Sequence, residues 1–332
     1  MAANGIDRPY RLSWIDRFNN WVGKLPVPPW VIYGGLAIGL ILVQVLFLLL
    51  DGGHHTQVLL PLIIFNGLSM PFLLGLIHLL DDQAVAALDS MRPVLEMTEA
   101  EFDEFQYKLS NMPSRPTLLA GLATLVSYVL LELLWIAPAR FAALEQLPTF
   151  AIIFQIIDKA PAFLFGGFFY HTIRQLRLVN TVNSNYTRIS LYNLGPLQAF
   201  SKLTASTAVG LVFGILGWMV LNPDLLADPV SLAFAASYTV LATIIFVWPL
   251  WGVHRLMQTE KEKALHELDL RFEAAFVRLN QLVHDDDNAS TTTLNSTIAS
   301  LDIQYRKTGA IPTWPWRPET ARFALTAIAL PL

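Results

Sequence analysis

The sequence predicts an all-α, polytopic integral membrane protein: six transmembrane helices arranged as three hairpins, with a cytoplasmic helical layer beneath them. Three observations carry this. Six apolar stretches, at 30–50, 58–80, 118–138, 149–170, 204–221 and 231–253, fill most of the first 253 residues. Each is near the roughly 20 residues that a helix rising about 1.5 Å per residue needs to cross a hydrocarbon core of about 30 Å. The composition agrees, since 54% of the chain is hydrophobic and only 14% is charged.

The third observation is where the basic residues fall. With the N-terminus inside and the spans alternating, Arg8, Arg11, Arg17 and Lys24 precede the first span. Arg92, Lys108 and Arg115 follow the second, and Arg174, Arg177, Arg188 and Lys202 follow the fourth. The C-terminal region holds the rest, so of 22 basic residues only Arg140 and Lys159 escape the inside segments. Basic residues resist translocation, and this asymmetry places both termini in the cytoplasm of a multi-pass cell-membrane protein. The start, MAANGIDRPYRLSWIDRF, is polar and amphipathic, so the first span is expected to serve as its own signal.

The elements repeat in order: hairpin, cytoplasmic segment, three times. Outgoing spans share a Gly-Leu-small triplet at Gly35, Gly121 and Gly210. Returning spans share Ile-Ile-Phe at Ile63, Ile152 and Ile244, followed each time by a proline, a glycine and a histidine (His78, His171 and His254). A parallel internal repeat accounts for this, and so does the ordinary composition of membrane spans. The histidines are expected at helix C-termini, where dipole and interfacial water suit an imidazole.

The inside segments read as helical insertions at 81–117 and 171–203. Thr98 and Glu101 form a capping box opening TEAEFDEFQYKL, whereas 171–203 loosens at NTVNSNYT and NLGP. Residues 254–309 predict a helical hairpin. Leu265, Phe272 and Leu279 recur every seven residues, as do Leu268, Ala275 and Leu282. Asp285–Asp287 make the turn, and Leu294, Ile298, Leu301 and Tyr305 line one face of the second helix. An intermolecular coiled coil is the other way to use the same heptads. Residues 310–332 form a Trp/Pro-rich segment and a short helix. It is too short to cross, and is expected on the cytoplasmic leaflet or against the bundle.

Polar residues inside the spans are the sharpest functional signal. Gln44, Glu132 and Gln155 lie about 8–9 Å below the outer end of their helices, Asn66 about 12 Å, and Asp158 and Lys159 about 14–15 Å. The six could form one polar layer in the outer half of the bundle, binding an ion or substrate. Each ionised group costs roughly 2.5–3.5 kcal/mol at a helix centre even on a lenient scale, and intramembrane charge is functional by default. Lys159 is expected to reach Glu132 on the neighbouring helix. Adjacent residues on a helix diverge by about 100°, so Asp158 is expected to miss Lys159 and be left to water, a proton or a cation. Pro161 should kink the helix beside them and free the carbonyl of Ile157. A static Glu132–Lys159 tie is the plainer reading, and a turn at Asp158–Pro161 splitting the span a third.

Weaker candidates complete the set. Asp51, His54 and His55 in an outer loop offer metal-ligand atoms, but read as solvated. Asp81-Asp82 and Asp285–Asp287 read as solvated surface. Gly35–Gly39 and Gly210–Gly214–Gly217 permit close helix contact. The chain has no cysteine, which removes disulfides, thiolate metal sites and cysteine nucleophiles. A net charge of −4 leaves no basic surface for nucleic acid. No phosphate-binding loop, HExxH or hydrolase elbow occurs, so neither an enzyme nor a cofactor is expected. The sequence favours permeation or transport of a small solute or ion. The competing reading is a membrane scaffold or signalling subunit, binding a second copy or a cytoplasmic protein through 254–309.

Overall fold

A computed structural model describes residues 9–52, 56–133, 144, 147–186, 198–221, 229–284, 288–316 and 318–329. His54, His55, Arg8, Arg140, Arg188 and Arg317, the NLGP turn and the Asp285–Asp287 turn lie outside the described residues. Among the described residues the regular elements are all helical. Six helices are long and apolar enough to cross a membrane. The helices are α1 (Trp14–Val22), α2 (Pro29–Leu50), α3 (Thr56–Met91), α4 (Glu99–Ser110), α5 (Ser114–Leu131), α6 (Pro148–Asn185), α7 (Ala199–Leu221), α8 (Pro229–His284), α9 (Asn288–Gly309) and α10 (Pro318–Ala329).

Consecutive long helices touch one another, α2 with α3, α5 with α6 and α7 with α8. The second members of these hairpins are the longer ones and run well past the bilayer thickness. At about 1.5 Å per residue, the 56 residues of α8 measure about 84 Å, against about 30 Å of hydrocarbon. The central position belongs to α3 and α6, which touch each other. α2 and α7 also pack on α3, and α5, α8 and α2 on α6. Continuous helices replace the expected C-termini around His78, His171 and His254, so those histidines sit in helix interiors. The reason is that after Pro71, Pro161 and Pro249 no further proline interrupts these helices near the histidines, so the backbone runs on.

The largest core cluster lies at the end of the bundle that carries the described N-terminal residues. Ile15 and Val22 of α1 join Leu74, Ile77, Leu80 and Leu88 of α3, Phe102 and Leu109 of α4, Leu164, Phe168 and Val179 of α6, and Phe200 and Leu203 of α7. Local chemistry explains why α1 forms at all. Ser13 caps it reciprocally with Asp16, and Ile15, Asn19 and Val22 recur at the spacing of one buried face. Residues 11–13 pair with 112–114 through Ser13 N–H to the Met112 carbonyl (3.0 Å) and Ser114 N–H to the Arg11 carbonyl (3.0 Å). α4 begins at the capping box expected from Thr98 and Glu101.

Glycine decides how closely α5 and α6 approach. A Cβ on Gly166 would collide with the Ala120 backbone, and one on Gly121 would stand 2.7 Å from Phe163. Among the described residues nothing stands within 4 Å of such a Cβ at Gly35 or Gly39, so the Gly-x-x-x-Gly of α2 makes no close helix contact there. The prolines Pro61, Pro71 and Pro161 lie inside helices. α6 therefore runs through Pro161 as one helix, which rules out the split fourth span.

The expected hairpin pairs α8 with α9. Leu268, Ala275 and Leu301 are buried, with Phe272, Leu294 and Ile298 packed on them, and Phe272 meets Tyr305 edge-on at 6.2 Å. α10 lies against the bundle, with Ala324 buried among Ala205, Ala208, Val212, Ala242 and Phe246. Trp316 packs on Phe246 with ring centroids 4.8 Å apart, and Trp314 stacks on His254 at 4.1 Å.

Candidate functional site

The six polar residues singled out in the spans do not make one layer. They separate into two groups on different sides of α6, because Phe154 faces α2 and α3 while Gln155, Asp158 and Lys159 face α5. The first group is a charge cluster. α6 presents Gln155 and Lys159 one turn apart, and α5 presents Tyr128 and Glu132 with the same spacing, so the two i,i+4 pairs meet across the interface. The Lys159 ammonium donates to Glu132 Oε2 (2.6 Å), Gln155 Oε1 (2.5 Å) and Asp158 Oδ2 (3.1 Å). The Tyr128 hydroxyl donates to the same Asp158 oxygen at 2.8 Å, and the ammonium sits 5.0 Å from the centre of the Tyr128 ring.

Two expectations change here. Asp158 is not left to solvent: it has both Tyr128 and Lys159. The four-carbon lysine stem folds back far enough to cancel the angular divergence of neighbours on a helix. Tyr128 belongs to the cluster and was missed from the sequence, although its position one turn before Glu132 was the available signal. The Glu132–Lys159 contact itself is as expected. The Glu132 side chain is 7% exposed, Asp158 14% and Lys159 22%.

The second group is neutral. Gln44 donates to the carbonyls of Leu40 (3.1 Å) and Ile63 (3.5 Å), and Asn66 donates to Gln44 Oε1 (3.2 Å) and the Phe154 carbonyl (3.4 Å). Both amides are buried, and between them they tie α2, α3 and α6. Side-chain amides at helix crossings satisfy their hydrogen bonds mutually where no water is at hand. This group has no net charge and is a packing device.

No family model, curated protein or solved structure matches the chain.

A third polar cluster lies near the α1 end and takes in Asp81, which with Asp82 the sequence reads as solvated surface. Of the neighbours Asp81 and Asp82, only Asp82 points outward. Asp81 Oδ1 lies 2.6 Å from His171 Nε2 and accepts from Gln175 Nε2 at 3.0 Å; Gln175 also donates to the Leu109 carbonyl at 2.8 Å. Adjacent helix positions diverge, and α6 covers one of the two. On α1, Asp16 is buried and its Oδ2 accepts from the Met112 N–H (2.9 Å) and from the Ser13 N–H and hydroxyl. Burial pushes the Asp16 carboxyl above its ordinary range, and these hydrogen bonds oppose that. Arg174 donates to the Lys108 and Asn111 carbonyls and to the Tyr10 hydroxyl, at 2.7, 2.5 and 2.6 Å. Burial raises the Tyr10 phenol to about 12, against the pull of Arg174. His78 meets the Tyr33 hydroxyl at 2.8 Å, and that hydroxyl donates to Asn19. These bonds join α1 to the 107–112 segment through Asp16, that segment to α6 through Arg174 and Gln175, and α3 to α6 through Asp81, so the cluster ties the α1 end of the bundle together.

Asp51 serves the backbone, accepting from the Phe150 N–H at 2.7 Å. Among the described residues no group of three His, Asp or Glu is placed to hold a metal ion.

Proposed function

We propose that the protein conducts or exchanges a small cation, the proton included, across the membrane, with Glu132, Lys159 and Asp158 as its exchange site. One observation carries this. Two carboxylates, Glu132 and Asp158, share a single ammonium, so the cluster holds one formal negative charge more than its own lysine balances. An unbalanced charge at this depth is costly and is relieved by binding a proton or a cation. Lys159 bridges both carboxylates and can favour either one, which lets a bound cation take the place it leaves. Asp158 is the titrating or cation-binding group, and Gln155 and Tyr128 steady the lysine and the aspartate. Gln44 and Asn66 stay outside the path. The orientation that goes with this reading is both termini in the cytoplasm, with the cluster in the outer half, and the distribution of basic residues favours it. The shared hairpin plan of the three pairs supports a parallel repeat.

A second reading, a membrane scaffold or signalling subunit, has its own support. α8 continues from its span into the α8–α9 hairpin without a break, so a movement in one can be passed to the other. The chain lacks cysteine, which makes the test clean. Single cysteines at Ile157 and Ala160 are labelled with a membrane-impermeant thiol reagent from each side, and proteoliposomes loaded with a pH-sensitive or Na⁺- and K⁺-sensitive dye report flux. The permeation reading expects labelling at one of the two positions, and flux that Asp158→Asn reduces at least tenfold. Absence of labelling from both sides, together with flux no greater than in empty liposomes, removes it in favour of the hairpin reading.

A further inference from the structure

We propose that a second copy of this chain pairs with α8 along its outward face, as a parallel two-stranded coiled coil over residues 270–281. The face is set by what α9 leaves uncovered. α9 takes Leu268, Phe272 and Ala275. At about 100° per residue, Leu270, Ala274, Val277 and Gln281 form a stripe on the opposite side of α8, and all four are exposed. This is a different seam from the heptads that build the hairpin.

Leu270 and Val277 are more than half exposed, at 53% and 54%, in a stretch that carries the polar and charged residues of an ordinary solvated helix. In heptad terms they occupy two successive d positions, with Ala274 and Gln281 at a. That assignment puts Glu273 at g and Arg278 at the following e. A parallel, in-register pair brings each g residue to the e residue five positions on in the partner. Glu273 of either copy then faces Arg278 of the other, and two-fold symmetry makes the ion pair twice. An antiparallel pairing would lose that match.

The membrane selects the parallel arrangement. α8 is continuous with the last membrane span, so two copies inserted with the same topology raise their α8 helices in the same direction and to the same height. Shared tethering also raises the effective concentration, which a seam of about three turns needs. Small Ala274 permits close approach, and a Gln281–Gln281 pair at an a position would fix register at some cost in stability. The charge pattern names the occupant as another copy: the stripe carries both halves of its own complement.

The test uses the full-length chain in its membrane with single cysteines, scored as disulfide dimer on a non-reducing gel after mild oxidation. Ala274→Cys and Val277→Cys, at a and d, should cross-link efficiently. Asp269→Cys, also exposed but about 110° round the helix from the stripe, should cross-link at least tenfold less. In the Ala274→Cys background, Glu273→Arg should lower the yield at least fivefold, and adding Arg278→Glu should restore it. Equal yields at all three positions would mean random collision and would overturn the proposal. So would no dimer at 274 or 277, an adduct of Ala274→Cys with a different protein, or a charge swap that fails to rescue.

Discussion

Changing Gly166 to alanine tests the central packing claim, that α5 and α6 are held at glycine distance. The added Cβ would stand 2.6 Å from the carbonyl carbon of Ala120 and nearer still to its oxygen and to the Thr124 hydroxyl. Carbon atoms rest at about 3.5–4.0 Å, so the helices must separate by about 1 Å. Overpacking of this kind costs about 1–3 kcal/mol. The separation also stretches the Thr124 hydroxyl contact to the Ala162 carbonyl across the interface, now 2.9 Å. An interhelical hydrogen bond in a membrane contributes about 0.6 kcal/mol. The sum is about 1.6–3.6 kcal/mol, or roughly 14- to 370-fold in the folding equilibrium at 1.4 kcal/mol per decade. Reversible unfolding in mixed detergent–SDS micelles measures it. Gly35→Ala is the control: with nothing within 4 Å of its Cβ, it should be neutral or slightly stabilising through helix propensity. A Gly166→Ala loss below about 0.5 kcal/mol, or one equal to that of Gly35→Ala, would refute the close approach.

The remaining predictions concern charge and caps. Lys159→Met leaves Glu132 and Asp158 facing each other without their ammonium and should cost about 3–5 kcal/mol, with Glu132→Gln/Lys159→Met recovering more than half by the same unfolding assay. Asn66→Leu should cost about 1–3 kcal/mol by leaving the buried Gln44 oxygen unpaired, and should leave any ion flux unchanged, since Gln44 and Asn66 lie outside the charge cluster. Thr98→Ala should cost α4 about 1 kcal/mol, seen as faster amide exchange over Glu99–Ser110. Hydrogen bonds from the Thr98 N–H and hydroxyl hold the Glu101 carboxyl below its usual range. Its cap is therefore fully in place above the unfolded carboxylate pKa and is lost as pH falls through the lower folded one. Relative to the intrinsic rate at each pH, exchange in α4 should rise on acidification across that interval, and the rise should vanish in Glu101→Gln.

The span count, the hairpin order and the capped start of α4 were legible in the sequence, because each depends on local length, hydropathy or a four-residue pattern. The α8–α9 seam was legible for the same reason: heptad spacing is a property of one helix. The Glu132–Lys159 contact could be inferred because two opposite charges in hydrocarbon have few other partners. What the sequence could not decide was direction around each helix. The outward turn of Asp82 against the inward turn of Asp81, the return of Lys159 to Asp158, and the division of Gln44 and Asn66 from the charges depend on which neighbour covers which face. Span length alone puts His171 at a helix end, but helix length is not span length: the backbone continues to Asn185 and buries the imidazole against α3. Sequence determined which segments are long and apolar enough to cross a membrane, since length and hydropathy belong to the segment alone. Tertiary structure decided which polar atoms meet, since hydrogen bonds and ion pairs form over about 3 Å, and no one-dimensional pattern specifies contacts that short between separate helices.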